Sequence, residues 1–420
     1  MEEPPKDFQP AIDLIFTFVE KQDEKFFKNS RSVHYWVPDD KGNASGKAFE
    51  APDNESLNAE IGRLIESTPV LTTFSSTLHT VIFKLVEKRG LLSNLIARLY
   101  IANYYKAVTL DEARNELIHS LSDLVTTGEL FYDYLVPICG IPRLYESLTL
   151  DNDASIYPLS LGMLKYLTVM GINLGHLKQY DPLTENQPLF RFRIRKRTPP
   201  DFGNMQQLLF QSRIKLALNL TFKKQAFLVS TLCSPASLER GGSEGTILHT
   251  PPALSEYATS NDLERLSKIW ALLKPLDLKW HLDPADNRIA IAARRYSTSL
   301  FEPAPEACLA LIIATETLLN IHGDTNELSF RYSLMAATAL GKGPTERRAV
   351  YKDFRSAYGF RSKTVHGTNS SAVEDELIKR LKTYMAELLL LAIEVYISGQ
   401  SVEHWVQSIL DAAIEGRAFS

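Results

Sequence analysis

The chain has 420 residues, a hydrophobic fraction of 45% and a formal net charge of -4. This length suggests two or three domains, with enough apolar residues for buried cores. The net negative charge excludes a global basic field, so any binding of nucleic acid has to rest on local groups. The three cysteines are widely spaced and odd in number, which indicates buried thiols in a reducing compartment and not a disulfide framework.

No segment of the sequence indicates export or membrane insertion. The N-terminal residues lack the charged and apolar pattern of a signal peptide. The longest apolar run, residues 388–393, is far too short to span a bilayer. We therefore predict a cytoplasmic, soluble protein with no membrane partner.

Helical periodicity dominates the first third of the chain. Apolar residues recur at helix spacing over residues 8–28, and a longer helical run covers about 57–127. Between them, residues 37–56 are polar and rich in Gly, Asn, Asp and Pro, which predicts a loop. We interpret residues 1–130 as a helical N-terminal region.

The pattern changes near residue 131, where β-branched and aromatic residues alternate with Gly, Pro and Asn-Asp turns. A short helix is predicted at 160–169, and the mixed pattern continues over 207–232 before a loop at 237–255. We predict a small β-containing domain over residues 131–258. Its strands are predicted at 131–137, 143–150, 155–159 and 189–195.

The last block, residues 259–420, contains clear helix start and stop signals. Their spacing predicts an antiparallel bundle of four to five helices. Pro, Gly or a capping box marks the ends of the helices between residues 303 and 397, and a Ser marks the start of the last one. The predicted helices run from Pro303 to Gly323, from Asp324 to Gly341, from Pro344 to His366 with an interruption or bend at Gly359, from Ser371 to about 397, and onward from Ser401. The overall class is therefore α+β, mainly α.

One motif in this block carries chemistry. Arg361 and His366 form an R-x4-H pair, followed at once by Gly367. The planar guanidinium of Arg can hold a phosphodiester, and His can move protons near neutral pH. The same spacing occurs at Arg114 and His119, within an amphipathic run, where we interpret both as ordinary helix residues.

The C-terminal block resembles a HEPN domain, and in particular the Apea-like branch of that family. The likeness rests on four segments in the same order and covers about a third of the chain. It implies an all-α bundle, a homodimer or higher oligomer formed through the motif helices, and metal-independent RNA cleavage without a cofactor. The matching segments are residues 289–297, 309–319, 327–340 and 358–367.

The resemblance also implies roles for single residues. His366 would be the general acid or base, and Arg361 would hold the scissile phosphate. Ser362 stands where the family often has Asn or His after the Arg. Glu316 lies in an otherwise apolar helix, where a carboxylate requires a cation partner, so it either faces solvent or orients Arg361 or His366. Arg331 and Lys363 either add positive charge to the cleft or remain solvated.

A second basic segment lies in the predicted strand at 189–195. Arg193, Arg195 and Arg197 alternate with apolar residues, and Arg191 and Lys196 add to the charge. This pattern is compatible with a track for the RNA backbone. It is equally typical of the wet face of an edge strand, where charges prevent unwanted pairing.

We therefore predict an endoribonuclease that attacks RNA through its own 2′-OH, leaving a 2′,3′-cyclic phosphate and a 5′-OH. An anti-phage defence or toxin effector, with tRNA or mRNA as substrate and a trigger sensed by the N-terminal region, follows from the family likeness alone. Two alternatives stay open: a non-catalytic module that binds RNA or a nucleotide, and an interaction protein in which the bundle only dimerises.

Overall fold

A computed structural model gives the fold of the chain. Fourteen helices and eight strands lie in the described residues, so the predicted α+β class with a helical majority is confirmed. The structure describes residues 8–21, 26, 31–38, 44–83, 91–127, 129–170, 185–197, 205–228, 232–236, 256–277, 280, 287–320, 328–365 and 374–416.

The chain divides into two compact units. The N-terminal unit comprises Met1–Asn204 and Phe227–Ala258, and the C-terminal unit comprises Met205–Ala226 and Thr259–Ser420. The division after residue 258 coincides with a predicted boundary. The predicted boundary at 130 falls inside one unit, because helix α5 packs on strand β3 across it (both defined below).

The helices of the N-terminal unit are amphipathic or buried on one side. The first helix buries a stripe of residues at helix spacing, which includes Ile12, Ile15, Phe16 and Val19. The helices are α1 Gln9–Glu20, α2 Asn54–Ser67, α3 Pro69–Phe83, α4 Leu91–Tyr104, α5 Leu110–Thr127 and α6 Leu161–Val169.

Two strands occupy residues 37–38 and 44–51 of the loop predicted at 37–56, so that prediction was wrong there. Strand β1, Arg31–Pro38, pairs antiparallel with β2, Ala44–Ala51. Backbone hydrogen bonds between neighbouring strands do not require apolar side chains, so the polar composition of this segment did not indicate the paired strands β1 and β2. The polar residues also serve the next helix, because the Asp53 carboxylate accepts hydrogen bonds from the backbone N–H groups of Glu55 and Ser56 and caps α2.

The main sheet of the N-terminal unit has six strands, in the order β4-β5-β6-β3-β7, with β8 also paired to β3. The predicted strand at 143–150 is shorter than expected. All pairings described in the sheet are antiparallel. The strands are β3 Glu129–Cys139, β4 Leu148–Asp151, β5 Ala154–Pro158, β6 Pro188–Arg197, β7 Phe227–Leu228 and β8 Leu232–Cys233.

Strand β6 has the two faces that its sequence predicted. Phe190, Phe192 and Ile194 are buried on one face. Arg191 and Arg193 alternate with them and lie on the other face. The pairing with β3 fixes which groups they meet, since Arg193 lies directly opposite Asp133.

The C-terminal unit is helical throughout its described residues. Helix α10 supplies the centre of its core and packs against α9, α11, α12 and α13. The helices are α7 Met205–Phe222, α8 Ser260–Leu273, α9 Arg288–Ser299, α10 Ala304–Leu319, α11 Leu328–Leu340, α12 Pro344–Val365, α13 Asp375–Ile397 and α14 Val402–Glu415.

Helix α7 corrects the predicted secondary structure and domain of the first part of residues 207–232, whereas β7 and β8 of the last part do belong to the main sheet of the N-terminal unit. Helix α7 belongs to the C-terminal unit, where it packs on α8. Ile214, Leu216, Ala217, Leu218 and Leu220 are all buried, although they lie around the helix and not along one stripe. A helix that is buried on most sides lacks the amphipathic period that identifies a helix from sequence.

The helix punctuation of the C-terminal block is largely confirmed. Helix α10 begins directly after Pro303, α11 ends before Gly341, and the Ser401 hydroxyl caps α14. Helix α12 is continuous through Gly359, so no interruption occurs there. A single Gly in a helix costs only about 1 kcal/mol, which the packing of α12 on α11 readily offsets.

The start of α13 differs from its prediction. Its N-cap is Glu374, which makes no capping hydrogen bond through its side chain, whereas the sequence predicted that Glu374 would close a capping box. The remaining predicted signals lie outside the described residues. These are Gly323, the capping pair Asp324 and Glu327, Ser371, and the loop at 237–255.

A buried asparagine ties α7 to the C-terminal unit. The Asn219 amide donates to the Ser297 hydroxyl at 3.1 Å and accepts from the Ala226 N–H at 2.8 Å. The Tyr296 hydroxyl donates to the Asn219 carbonyl at 3.1 Å. Asn219 has 0% exposure, so these bonds replace its contacts with water.

Replacing Asn219 by alanine should therefore destabilise the C-terminal unit. We expect the free energy of unfolding to fall by roughly 1–3 kcal/mol, because buried partners of Asn219 lose their hydrogen bonds. Chemical denaturation of the full chain measures this change. Gln206→Ala, at an exposed position of the same helix, is the matched control and should have little effect. Equal stability of the two variants would contradict the packing of α7.

Candidate functional site

The candidate site lies where helix α12 packs against helix α10. The Arg361 Nη2 atom is 3.5 Å from the Glu316 Oε2 atom. The Glu316 side chain is 19% exposed and the Arg361 side chain is 36% exposed. A cation therefore lies beside Glu316 on the neighbouring helix, which is one of the two arrangements that the sequence left open.

This ion pair is loose. Charge-assisted hydrogen bonds between guanidinium and carboxylate are usually about 2.7–2.9 Å long, well below the distance here. Glu316 Oε1 and Arg361 Nε have no hydrogen-bond partner among the described residues, although both atoms are buried. The pair thus keeps unused hydrogen-bonding capacity on both sides.

Tyr358 completes the cluster one helical turn before Arg361. Its side chain is buried, and its hydroxyl is directed at Glu316 without reaching hydrogen-bond geometry. Its ring stacks on Tyr332 of α11, with ring centroids 6.4 Å apart. Residues three apart share one helix face, so this spacing was the available sequence signal for Tyr358.

Burial controls the protonation of the cluster. It raises the pKa of the Glu316 carboxyl, while the charge of Arg361 and the hydroxyl of Tyr358 act in the opposite direction. Burial, together with the charge of Glu316, also raises the pKa of Tyr358 far above its usual value. Tyr358 therefore stays neutral in the physiological pH range.

Arg331 lies in the same group of side chains but is buried. Its exposure is 8%, its guanidinium carbon lies 5.2 Å from the Tyr332 ring centroid, and its Nη2 donates to the Tyr332 hydroxyl at 3.4 Å. A side chain with so little exposed surface can make few direct contacts with a polynucleotide. The structure favours a supporting role for Arg331 through Tyr332 over direct contact with RNA.

The rest of the predicted motif is only partly described. Ser362 and Lys363 belong to helix α12, but their side chains are not described. His366 lies outside the described residues, directly beyond the last residue of α12. The geometry of the Arg361 and His366 pair therefore stays a prediction.

The two described arginines of the basic strand, Arg191 and Arg193, are both paired with carboxylates. Arg193 makes a fork of hydrogen bonds to the Asp133 carboxylate, with distances of 3.0–3.2 Å. Arg191 contacts the same carboxylate at 3.2 Å and Glu116 at 2.9 Å. Asp133 is 2% exposed, so both arginines compensate buried charge. The side chains of Arg195 and Arg197 are not described.

The second R-x4-H pair has separate partners. Arg114 is bonded to the Asp13 carboxylate, and its guanidinium lies 5.7 Å from the Phe16 ring centroid. His119 contacts Asp123 on its own helix at 3.2 Å. The structure therefore does not bring Arg114 and His119 together on a common target.

The described part of the chain lacks both a cluster of metal-ligating side chains and a helix fit to span a membrane. No group of three or more His, Cys, Asp or Glu side chains in that part of the chain could hold a metal ion. None of the described helices combines the length and apolar character needed to cross a bilayer.

Comparisons with known proteins give no match. No family model, no curated protein sequence and no solved structure is similar to this chain.

Replacing Glu316 by glutamine should change how stability depends on pH. Burial raises the pKa of Glu316 in the folded state above its value in the unfolded chain. The contribution of this carboxyl to the free energy of unfolding is therefore greatest below the unfolded pKa, and it is lost as the pH rises through the folded pKa. The stability of the wild type relative to Glu316→Gln should fall between about pH 4 and pH 7. Denaturant titrations of both proteins at the two pH values measure this difference.

Glu376→Gln is the matched control in the same unit. Lys379 lowers the pKa of the exposed Glu376 carboxyl, so the wild type should gain stability over this variant across the same pH range. Slopes of the same sign for the two variants would contradict the assigned environment of Glu316.

Proposed function

We propose that this chain is a metal-independent endoribonuclease whose C-terminal unit is a HEPN-type bundle. The observation that carries the proposal is the half-exposed Arg361, held loosely by Glu316 at the end of the helix that leads into His366. A cation with unused donors, next to a residue that can transfer protons, is what phosphodiester chemistry requires.

The reaction needs only the substrate's own nucleophile. The 2′-oxygen of one ribose forms a bond to the adjacent phosphorus, and the bond from phosphorus to the 5′-oxygen breaks. The 2′-OH proton leaves to a base, and a proton is delivered to the departing 5′-oxygen. His366 acts as general acid or base, and Arg361 stabilises the charge on the phosphoryl oxygens.

Glu316 orients Arg361 in this scheme. Its carboxylate limits the positions of the guanidinium without occupying all of its donors, since Arg361 Nε lacks a hydrogen-bond partner among the described residues. Ser362 and Lys363 follow Arg361 in the same helix and are further candidates for contacts with RNA.

Two copies of the chain would complete the site. Positions spaced as Arg361 and His366 are lie about 140° apart around a continuous helix, so one copy offers them on different sides. A symmetric dimer with this helix end near its axis would bring two such pairs to one cleft. One histidine could then remove the 2′ proton while its partner protonates the 5′-oxygen.

The biological setting rests on the family resemblance alone. A cytoplasmic defence or toxin effector, switched on by a trigger that the N-terminal unit senses, is the setting that this resemblance favours. The chemistry proposed above does not depend on it.

Replacing either His366 or Arg361 by alanine should abolish RNA cleavage. We expect losses of about 10²–10⁴-fold from removal of the general acid or base, with little change in thermal stability for His366→Ala. Arg361→Ala also leaves the Glu316 carboxylate without its cation and should lower the stability. Purified variants and a labelled RNA measure the rates. The controls are His404→Ala and Arg348→Ala, both exposed in the same unit. Unimpaired cleavage by His366→Ala would refute the mechanism.

Cleavage should continue in excess EDTA, within a few-fold of the untreated rate. A substrate with a single 2′-deoxy ribose at the cut site should resist, because its nucleophile is absent. Product analysis should find a 2′,3′-cyclic phosphate. Activity that disappears in EDTA and returns with Mg²⁺ or Mn²⁺ would instead indicate a metal-dependent nuclease.

The active protein should be at least a dimer. Light scattering measures the mass, and mixing Arg361→Ala with His366→Ala tests whether one site draws on two chains. A composite site predicts that mixed dimers recover part of the activity, because their shared cleft holds one Arg361 and one His366, whereas a site confined to one chain predicts none. A strictly monomeric and fully active enzyme would rule out the composite site.

A further inference from the structure

A cavity of about 710 Å³ lies in the N-terminal unit, between helix α5 and the main sheet. Ligand pockets in proteins commonly have volumes of about 300–1,000 Å³, so this space suits a molecule the size of a small metabolite. Residues from α5 and from strands β3, β4, β5 and β6 line it, together with Ser234 and its neighbours.

The strand register explains why the cavity is open. Thr149 pairs with Ser155, Ser155 with Arg191, and Arg191 with Leu135, so the four form one row across four strands. Neighbours in such a row lie on the same face of the sheet. Two of the four side chains are small and carry hydroxyls, which leaves space above the sheet beside Arg191.

The acidic groups around this row are already paired. Asp133 is held by Arg191 and Arg193, and one oxygen of Glu116 is held by Arg191. Glu112 accepts hydrogen bonds from the backbone and hydroxyl of Thr109 at the start of α5. The other oxygen of Glu116 is buried and has no hydrogen-bond partner among the described residues. Apart from this oxygen, these carboxylates are largely committed to partners within the protein.

Hydrogen-bond donors, in contrast, remain available. Arg191 uses Nε on Asp133 and Nη2 on Glu116, and its Nη1 has no partner among the described residues. Four side chains with hydroxyls line the cavity: Ser147, Thr149, Ser155 and Tyr157. None of the four has a hydrogen-bond partner among the described residues. Arg191 is fixed by its two carboxylates, so it presents its remaining donor at a defined position.

We propose that this cavity binds a small organic anion, whose phosphate or carboxylate group contacts Arg191 Nη1 and the hydroxyls of Thr149 and Ser155. The apolar part of the ligand lies against Leu135 and Met163, which also line the cavity. This site belongs to the N-terminal unit and does not depend on the proposed nuclease activity.

The electrostatics of the cluster agree with an anion. Two arginines face Asp133 and Glu116, and burial raises the pKa of the Glu116 carboxyl, with the charge of Asp133 adding to the effect. Protonation of Glu116 would leave Arg191 and Arg193 facing two carboxylates, those of Asp133 and Glu112, so this group would be neutral and no longer net negative. An anion on Arg191 would favour that protonated form, because it competes with Glu116 for the same cation.

The test measures binding to the full chain by calorimetry and thermal shift. The probes are inorganic phosphate, adenosine 5′-monophosphate and succinate, with uncharged adenosine as the control ligand. We expect saturable binding of at least one of the three anions and none of adenosine. Phosphate alone, the nucleotide alone or succinate alone would each support the site and identify the anionic group that it prefers.

Two variants localise the binding. Arg191→Gln should weaken it at least about tenfold, but this change also leaves Asp133 and Glu116 short of a cation and can impair folding. The double variant Thr149→Val with Ser155→Ala keeps the ion cluster intact and should also weaken binding at least about tenfold. Arg63→Gln and Thr73→Val, exposed in the same unit, are the matched controls.

Three results would overturn the proposal. These are the absence of binding by all three anions, undiminished binding by the double variant, and binding of adenosine as tight as that of its monophosphate. None of these measurements uses RNA cleavage, so failure here leaves the proposed nuclease function untouched.

Discussion

Buried carboxylates determine the chemistry of both units. An ionised carboxylate inside an apolar core is very costly unless a cation lies beside it. Glu316 is the only acidic residue in the second half of the apolar helix α10, and the cation that accompanies it is Arg361 of α12. The requirement for a cation beside Glu316 fixes the guanidinium of Arg361 near the end of α12. His366 follows this helix directly in the sequence. One pair of side chains thus serves the packing of α12 on α10 and, in the proposed mechanism, the chemistry.

The N-terminal unit meets the same requirement with a tighter arrangement. Asp133 lies in the middle of strand β3 and is held by two arginines of β6 that the antiparallel register brings opposite it. Because Glu116 takes a second nitrogen of Arg191, the guanidinium is fixed before any ligand arrives. The small residues beside it in the row then decide whether space remains, and here they leave a cavity.

Sequence patterns predicted the parts of the fold that local signals control. Pro303, Gly341 and Ser401 bound their helices as expected, and the alternation in β6 gave one buried and one polar face. Helix α7 was missed because it is buried around its circumference, and the β1–β2 ribbon was missed because backbone pairing leaves little trace in composition. For Glu316 the sequence left open a solvent-facing position or a cation partner. The role of Arg193 depended on Asp133, some sixty positions away in sequence, and no local pattern reveals that contact.

The two kinds of ion pair differ in what they allow an arginine to do. For Arg193 to bind a phosphate, it would have to release a carboxylate that is 2% exposed, and uncompensated buried charge costs about 3–5 kcal/mol. That cost exceeds the contribution of an exposed phosphate contact, so Arg193 is better suited to structure than to RNA. Arg361 faces a smaller cost, because its contact with Glu316 is 3.5 Å long and Glu316 can take up a proton as its raised pKa allows. A phosphodiester can therefore compete for Arg361 without breaking a tight pair, and the loose contact is the feature that suits this arginine to a reactive site.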